Sequence, residues 1–244
     1  MRDPLHWLTA RPFAHRGIYD NQAGPPENSL AAILAAMTKG YGSEIDVRIS
    51  RDGVVMVFHD PTLDRLCHRH GRIEDFDAAQ LQTFALNASD QCIPTLAEVL
   101  KQVRGQVPLL IEMKSGWLQR PGRLERAVAD SLRHYNGPAA VLAFNPYSLD
   151  WLRRHAPGIV RLQNAMTVDP QGRLGRFRKL ALRMLHAMSW GRPHGISYRV
   201  EDLPARLTER ARASGRPVLA WTVRDEKTRA LAQAHADNMI TDQF

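Results

Sequence analysis

Three carboxylates, two imidazoles and two cations fall at the downstream ends of short apolar runs in this chain. His15 and Arg16 follow Pro12 to Ala14, Glu44 and Asp46 interleave with Ile45 and Val47, His59 follows Val54 to Phe58, and Glu112 and Lys114 follow Leu109 to Ile111. Carboxylates gathered in a low-dielectric cavity cannot all stay ionised without a counter-charge. A hard divalent cation with oxygen ligands from Glu44, Asp46 and Glu112 is the natural remedy. Arg16 and Lys114 are suited to a phosphate, the arginine in bidentate fashion. His15 and His59 on either side of a phosphodiester would serve as general base and general acid near neutral pH. Metal, cations and two proton-transfer groups together describe phosphodiester cleavage. Each group alone has an ordinary reading: a surface histidine, a solvated strand edge, an ion pair inside a barrel. Polar insertions after four separate apolar runs are hard to assign jointly to surface accident.

Such residues converge only if the elements that carry them do. Short apolar runs alternate with helical patterns, the pattern of βα units around a parallel sheet. Strands are expected at Pro12 to Gly17, Ser43 to Ser50, Leu109 to Lys114, Val141 to Asn145, Val160 to Asn164, Gly195 to Tyr198, Val218 to Val223 and Met239 to Asp242. In the second, Ile45, Val47 and Ile49 share one face while Glu44, Asp46 and Arg48 share the other. Helices are expected from Ser29 to Lys39, capped by Asn28 or Ser29, and from Thr95, whose capping box pairs it with Glu98. Two more are expected at Ser148 to His155 and Asp225 to Ala236. Asp52-Gly53 signals a two-residue hairpin with Val54 to His59 returning. That register sets Arg51 opposite Val54 and therefore Asp46 opposite His59, unless a bulge intervenes. The stretch from Pro61 to Ile93 is irregular. The expected architecture is a (β/α)8 TIM barrel with a small insertion after strand two and a hairpin bearing His59, its site at the C-terminal ends of the strands.

Length and composition agree with one such domain over residues 1–244. Hydrophobic residues make up 44% and charged residues 24%, ordinary for a globular fold. The net charge of +8 favours an anionic partner without choosing one. Cys67 and Cys92 have no zinc-site spacing and are expected to be free thiols. Neither a signal peptide nor a membrane-spanning run is legible, so a cytoplasmic location is expected.

The blocks Ala14-His15-Arg16-Gly17, Glu27-Asn28-Ser29, Glu44-Ile45-Asp46-Val47 and Val57-Phe58-His59-Asp60-Pro61-Thr62-Leu63-Asp64-Arg65 resemble the glycerophosphodiester phosphodiesterase family. Ile93-Pro94-Thr95-Leu96, Ile111-Glu112-Met113-Lys114, Ala220-Trp221-Thr222-Val223 and Ile240-Thr241-Asp242 continue the likeness in the same order. The resemblance implies metal-dependent hydrolysis of glycerophosphodiesters to glycerol 3-phosphate and an alcohol. It implies His15 and His59 as the acid–base pair, and Glu44, Asp46 and Glu112 as ligands of Mg²⁺ or Ca²⁺. It implies Arg16 and Lys114 as phosphate contacts, Glu27 as a carboxylate near metal and substrate, and Trp221 as a wall of the substrate cleft. In the implied mechanism the glycerol 2-hydroxyl attacks phosphorus, and water then opens the cyclic phosphate with the histidine roles reversed. The metal's identity and the alcohol, whether choline, ethanolamine, glycerol or inositol, stay open.

The chain departs from the family at two places. Members usually continue into a closing helix beyond the residue equivalent to Phe244, and the Leu5 to Leu8 segment is the expected cover for that side. Residues 171–190 carry Arg173, Arg176, Arg178, Lys179 and Arg183 with an apolar stripe at helical spacing, a pattern suited to peripheral contact with an anionic membrane. That pattern keeps a lysophospholipase D-like activity on lysophospholipids as the alternative. A degenerate, non-catalytic barrel is disfavoured by the intact residue set. Nucleic-acid binding is not expected, since no recognised module accompanies the charge.

Overall fold

The computed structural model describes residues 4–87, 89–116, 119–167, 190–242 and 244. The basic segment 171–190, apart from Trp190, lies outside them. The strands are β1 Phe13–His15, β2 Gly42–Ile49, β3 Val55–Val57, β4 Leu109–Met113, β5 Ala139–Ala143, β6 Val160–Ala165, β7 Gly195–Arg199, β8 Val218–Val223 and β9 Asn238–Thr241. They form one nine-stranded sheet in the order β1-β9-β8-β7-β6-β5-β4-β2-β3, and the pairing of β1 with β2 closes it. Every pairing is parallel except β2 with β3. This is the expected eight-stranded (β/α)8 barrel, with β3 as the hairpin return.

Alternation along each strand divides the core in two. One set, Phe13, Leu110, Ala140, Leu142, Leu162, Leu219 and Ile240, packs inside the barrel together with Leu8. The other set, including Ile45, Val47, Ile111 and Val141, packs outward against Ile33, Val99, Val128 and Leu152 of the surrounding helices. Each of the valine, leucine, isoleucine and phenylalanine side chains contributes about 1.5–3 kcal/mol when fully buried. Gly42 faces Phe13, and a Cβ there would lie 2.5 Å from the Phe13 ring. The barrel interior at that level has room for the ring because its neighbour has no side chain.

The helices follow their local signals. Leu30–Thr38 is capped by Ser29, whose hydroxyl accepts from the Ala32 N–H. Leu96–Val103 is opened by the Thr95–Glu98 capping box, with both reciprocal bonds made. Pro146–His155 is capped by Asn145, and Glu226–His235 by Asp225. Residues 58–87 and 89–93 form the insertion, with short helical turns around a core of Phe58, Leu63, Leu66, Ile73 and Leu81, among others, which packs on Met56 of β3. Cys67 and Cys92 are free thiols.

Two expectations are corrected. The hairpin pairs Val47 with Val57 and Ile49 with Val55, so the register is shifted by one residue and Asp46 does not face His59. Instead the Phe58 N–H donates to the Asp46 carbonyl. The turn has three residues, Arg51, Asp52 and Gly53, between Ser50 and Val54, with Gly53 at φ +90°. A left-handed glycine after two turn residues is the geometry of a bulged three-residue loop. The Asp52 carboxylate accepts from the Ser50 hydroxyl and, at 3.0 Å, from the Ala78 N–H of the insertion, which fixes this turn over the two-residue alternative. The second correction concerns the N-terminal turn His6–Leu8. Leu8 is fully buried among the interior residues, so the turn plugs the barrel's N-terminal end and does not cover an outer side. Asn238 holds it there, donating to the Leu8 and Arg11 carbonyls, each at 2.7 Å.

Candidate active site

At the C-terminal end of the barrel, strand register places the polar residues side by side. His15 pairs with Glu44 across β1 and β2, and Asp46 pairs with Glu112 across β2 and β4. Glu44, Asp46 and Glu112 offer oxygens that all lie within 4.8 Å of one another. Their exposures are 2%, 1% and 9%, so water does little to screen them.

The counter-charges are unevenly shared. Lys114 Nζ lies 2.9 Å from Asp46 and 2.8 Å from Glu112. Arg16 Nε lies 3.2 Å from the other Asp46 oxygen, and Asn28 donates to that oxygen at 2.9 Å. Burial alone would raise Asp46, yet Lys114 and Arg16 outweigh it and hold the carboxyl well below its ordinary value. Among the described residues the Glu44 carboxylate accepts only a long contact, 3.4 Å, from the Arg16 backbone N–H. Burial, then the neighbouring Asp46 and Glu112, push it well above the ordinary carboxylate range. Glu112 is pushed up too, chiefly by burial. A triad of buried oxygen donors with one positive charge too few fits a hard divalent cation, and nothing in the donor set is soft enough to favour a thiophilic metal.

Each histidine is backed by an aspartate. His15 Nδ1 lies 2.8 Å from Asp242 Oδ1, and His59 Nδ1 lies 2.6 Å from Asp60 Oδ1. A carboxylate can only accept, so Nδ1 carries the proton in both rings and Nε2 is left as the exchanging atom. His59 sits beyond β3, where its carbonyl accepts from Arg48 Nε at 2.8 Å. Burial lowers the His59 pKa, against the opposing pull of Asp46.

Arg16 adopts φ +58°, with its N–H on the Glu44 carbonyl and its carbonyl accepting from Asn28. The next residue must be glycine: Gly17 has φ +82°, and a Cβ there would lie 2.6 Å from the Ala32 backbone. The Arg16 Nε, though 3.2 Å from Asp46, has no aligned acceptor among the described residues. Its Nη1 donates to Glu27 at 2.7 Å. Glu27, 2% exposed, also accepts from Asn21 and twice from Arg65. Burial opposes ionisation, but Arg65, Arg16 and Asn21 hold the Glu27 carboxyl at about 2. Arg65 reaches onward to both oxygens of Asp60. Arg16, Glu27, Arg65, Asp60 and His59 therefore form one chain of charge-assisted bonds across the mouth.

Trp221 lines a small pocket with His15, Glu44, Glu112, Asn164 and Ser197. Its ring meets Phe144 edge-on, centroids 5.6 Å apart. The structure thus brings all nine sequence-predicted residues to the mouth or its immediate support. The sequence reading assigns no role to Asp60, Arg65 and Asp242, and treats Asn28 only as a cap. The signal for Asp242 was its place directly after the last strand, the same place that singles out Lys114 after β4.

Comparison with known proteins agrees with this geometry. Residues 15–244 match the glycerophosphoryl diester phosphodiesterase family. A glycerophosphodiester phosphodiesterase of Caldanaerobacter subterraneus is 33% identical over 243 residues, covering 94% of this chain and 93% of its own. Glycerophosphodiester phosphodiesterase 1 of Bos taurus is 25% identical, covering 95% of this chain and 77% of its own. Among solved structures, a phosphodiesterase of Oleispira antarctica in complex with the product sn-glycerol-3-phosphate superposes with a TM-score of 0.78 at 24% identity, covering 97% of this chain and 94% of its own.

Proposed function

The chain belongs to the glycerophosphoryl diester phosphodiesterase family and is a phosphoric diester hydrolase, and from that premise we propose that it cleaves glycerophosphodiesters to glycerol 3-phosphate and an alcohol with His15 and His59 as the acid–base pair. The observation that carries this reading is the pair of imidazoles, each bonded through Nδ1 to an aspartate, beside a buried carboxylate triad. We read residues 1–244 as one catalytic domain.

Arg16 and Lys114 take the phosphate oxygens. Glu27 is a positioning residue, since its four accepted bonds leave its carboxylate little capacity beyond aiming Arg16. Trp221 packs along the glycerol. One histidine takes the proton of the glycerol 2-hydroxyl as that oxygen attacks phosphorus, and the other gives a proton to the departing alcohol. In the second half water attacks the cyclic phosphate, its proton goes to the histidine that has just lost one, and the 2-hydroxyl is re-protonated by its partner. Glu44, Asp46 and Glu112 would hold Mg²⁺ or Ca²⁺, which when bound supplies positive charge against the charge building on the phosphoryl oxygens.

The test is choline release from glycerophosphocholine and, in parallel, from lysophosphatidylcholine, with Mg²⁺, Ca²⁺ or chelator, and with His15→Ala as control. Cation-dependent turnover of the soluble diester, lost in the variant, is expected. Turnover of the lysolipid alone would move the substrate to a membrane. Trp190, 45% exposed at the end of the basic segment, gives that second reading its support. Turnover of neither diester, nor of diesters with other head groups, would overturn the assignment.

A further inference from the structure

Beside the catalytic mouth lies a cavity of about 770 Å³, lined by Arg48, Arg72, Arg120, Arg123, Glu112, Lys114 and Phe144 among others. It meets the small Trp221 pocket at two points. Glu112 lines both, and Phe144 on its wall touches the Trp221 ring. A diester whose phosphate sits on Lys114 would therefore run from one into the other, and the larger space is the one that remains for the half beyond glycerol. Its volume is that of a small-molecule site.

Its charge is lopsided. Of the three acids on its wall, two are paired with cations and the third accepts from neutral donors only. Glu112 holds Lys114, Glu74 takes Arg72 Nε at 2.6 Å, and buried Glu125 accepts from the Gly122 N–H and the Ser148 hydroxyl. Arg48 and Arg123 spend their bonds on carbonyls, of His59 and Lys114 for one and of Ser50 and Arg51 for the other. Carbonyl acceptors leave the guanidinium charge uncancelled. Arg120 is exposed on the loop after β4. None of Arg48, Arg120 and Arg123 lies within ion-pair distance of a carboxylate among the described residues. Three guanidinium groups without an ion-pair partner outnumber the one carboxylate, Glu125, that likewise lacks a cation, so the cavity's net positive charge repels an alcohol that carries an ammonium and attracts one that carries an anion.

Resting on the activity proposed above, we infer that this cavity is the subsite for the departing alcohol and that it selects alcohols bearing a second negative group, a phosphate or a carboxylate, over cationic ones such as choline.

The test compares kcat/KM at moderate salt for glycerophosphoglycerol, its terminally phosphorylated form and glycerophosphocholine, three diesters that share the glycerol half. An analogue with a carboxylate in place of the terminal phosphate distinguishes the two anion types. A preference of about tenfold or more for the anionic diesters over glycerophosphocholine is expected, falling as salt rises. In Arg120→Glu, at an exposed side chain, the anionic-to-cationic ratio should drop at least fivefold, a readout that loss of folded protein would not alter. Equal or better turnover of glycerophosphocholine by the unaltered protein, or an unchanged ratio in the variant, overturns the subsite while leaving the diesterase reading intact. Turnover of none of the diesters removes both.

Discussion

The acid–base roles proposed for His15 and His59 depend on two aspartates that would not touch substrate. Asp242 and Asp60 hold the rings in the tautomer that leaves Nε2 free, and Arg224 Nε braces Asp242 from its other oxygen at 3.1 Å. His15→Ala is expected to lower kcat by about 10²–10⁴-fold, the usual worth of a general acid or base. Asp242→Asn keeps the shape but offers an amide that can donate to Nδ1 and favour the wrong tautomer. It should lower kcat by at least about tenfold with KM little changed, and shift the pH–rate profile, which steady-state kinetics across pH would show. An unaltered profile would leave Asp242 a merely structural partner. At this scale the sequence was informative where a polar residue interrupted an apolar run, as at Glu44, Asp46 and Glu112. It was less so for Asp60 and Arg65, which lie in irregular chain and acquire meaning only once Arg65 is seen to bridge Glu27 and Asp60.

Between elements, the same Arg65 bridge fastens the insertion to the loop after β1. Glu27 and Asp60 are both held at about 2, below the ordinary carboxylate values, with Arg65 as a shared cause. A depressed pKa contributes stability that is present in full above the unfolded value. It is lost as pH falls from there through the folded value. Urea unfolding should therefore show stability declining between about pH 4.5 and 2, more steeply than in Arg65→Ala, whose two carboxylates would titrate nearer their ordinary values. Parallel declines in the two proteins would dismiss the bridge as a stabilising contact. In the hairpin, Gly53→Ala places a side chain at φ +90° and should cost about 1 kcal/mol or more, read as a lower thermal midpoint. The capping box at Thr95 was legible because all its atoms lie within one turn of helix. The hairpin register was not, because Asp52 accepts from Ala78, 26 residues away, and no local pattern announces that bond.

For the molecule as a whole, the barrel was legible from the alternation of strands and helices. The role of the N-terminal turn as an interior plug was not, since Leu8 is apolar in either position and only closure of the sheet decides which surface it meets. The carboxylate triad bears on global stability as well as on chemistry. Mg²⁺ or Ca²⁺ at a hundred times its dissociation constant should stabilise the protein by about 2.7 kcal/mol and raise the thermal midpoint by several degrees. Glu44→Gln should abolish that rise yet leave the metal-free protein at least as stable, because it removes a buried carboxyl whose ionised form lacks a cation. A cation-induced rise that survives the substitution would mean the ion binds elsewhere. Finally, Asn238 clasps the Leu8 carbonyl from 230 residues downstream, and β9 is the strand that joins β8 back to β1. At a synthesis rate of about 5–20 residues per second, that clasp waits on the order of tens of seconds for its second half to leave the ribosome. During that interval Phe13 and the other interior side chains face an unsealed trough, so the nascent chain, and not the finished enzyme, is the form most in need of a chaperone.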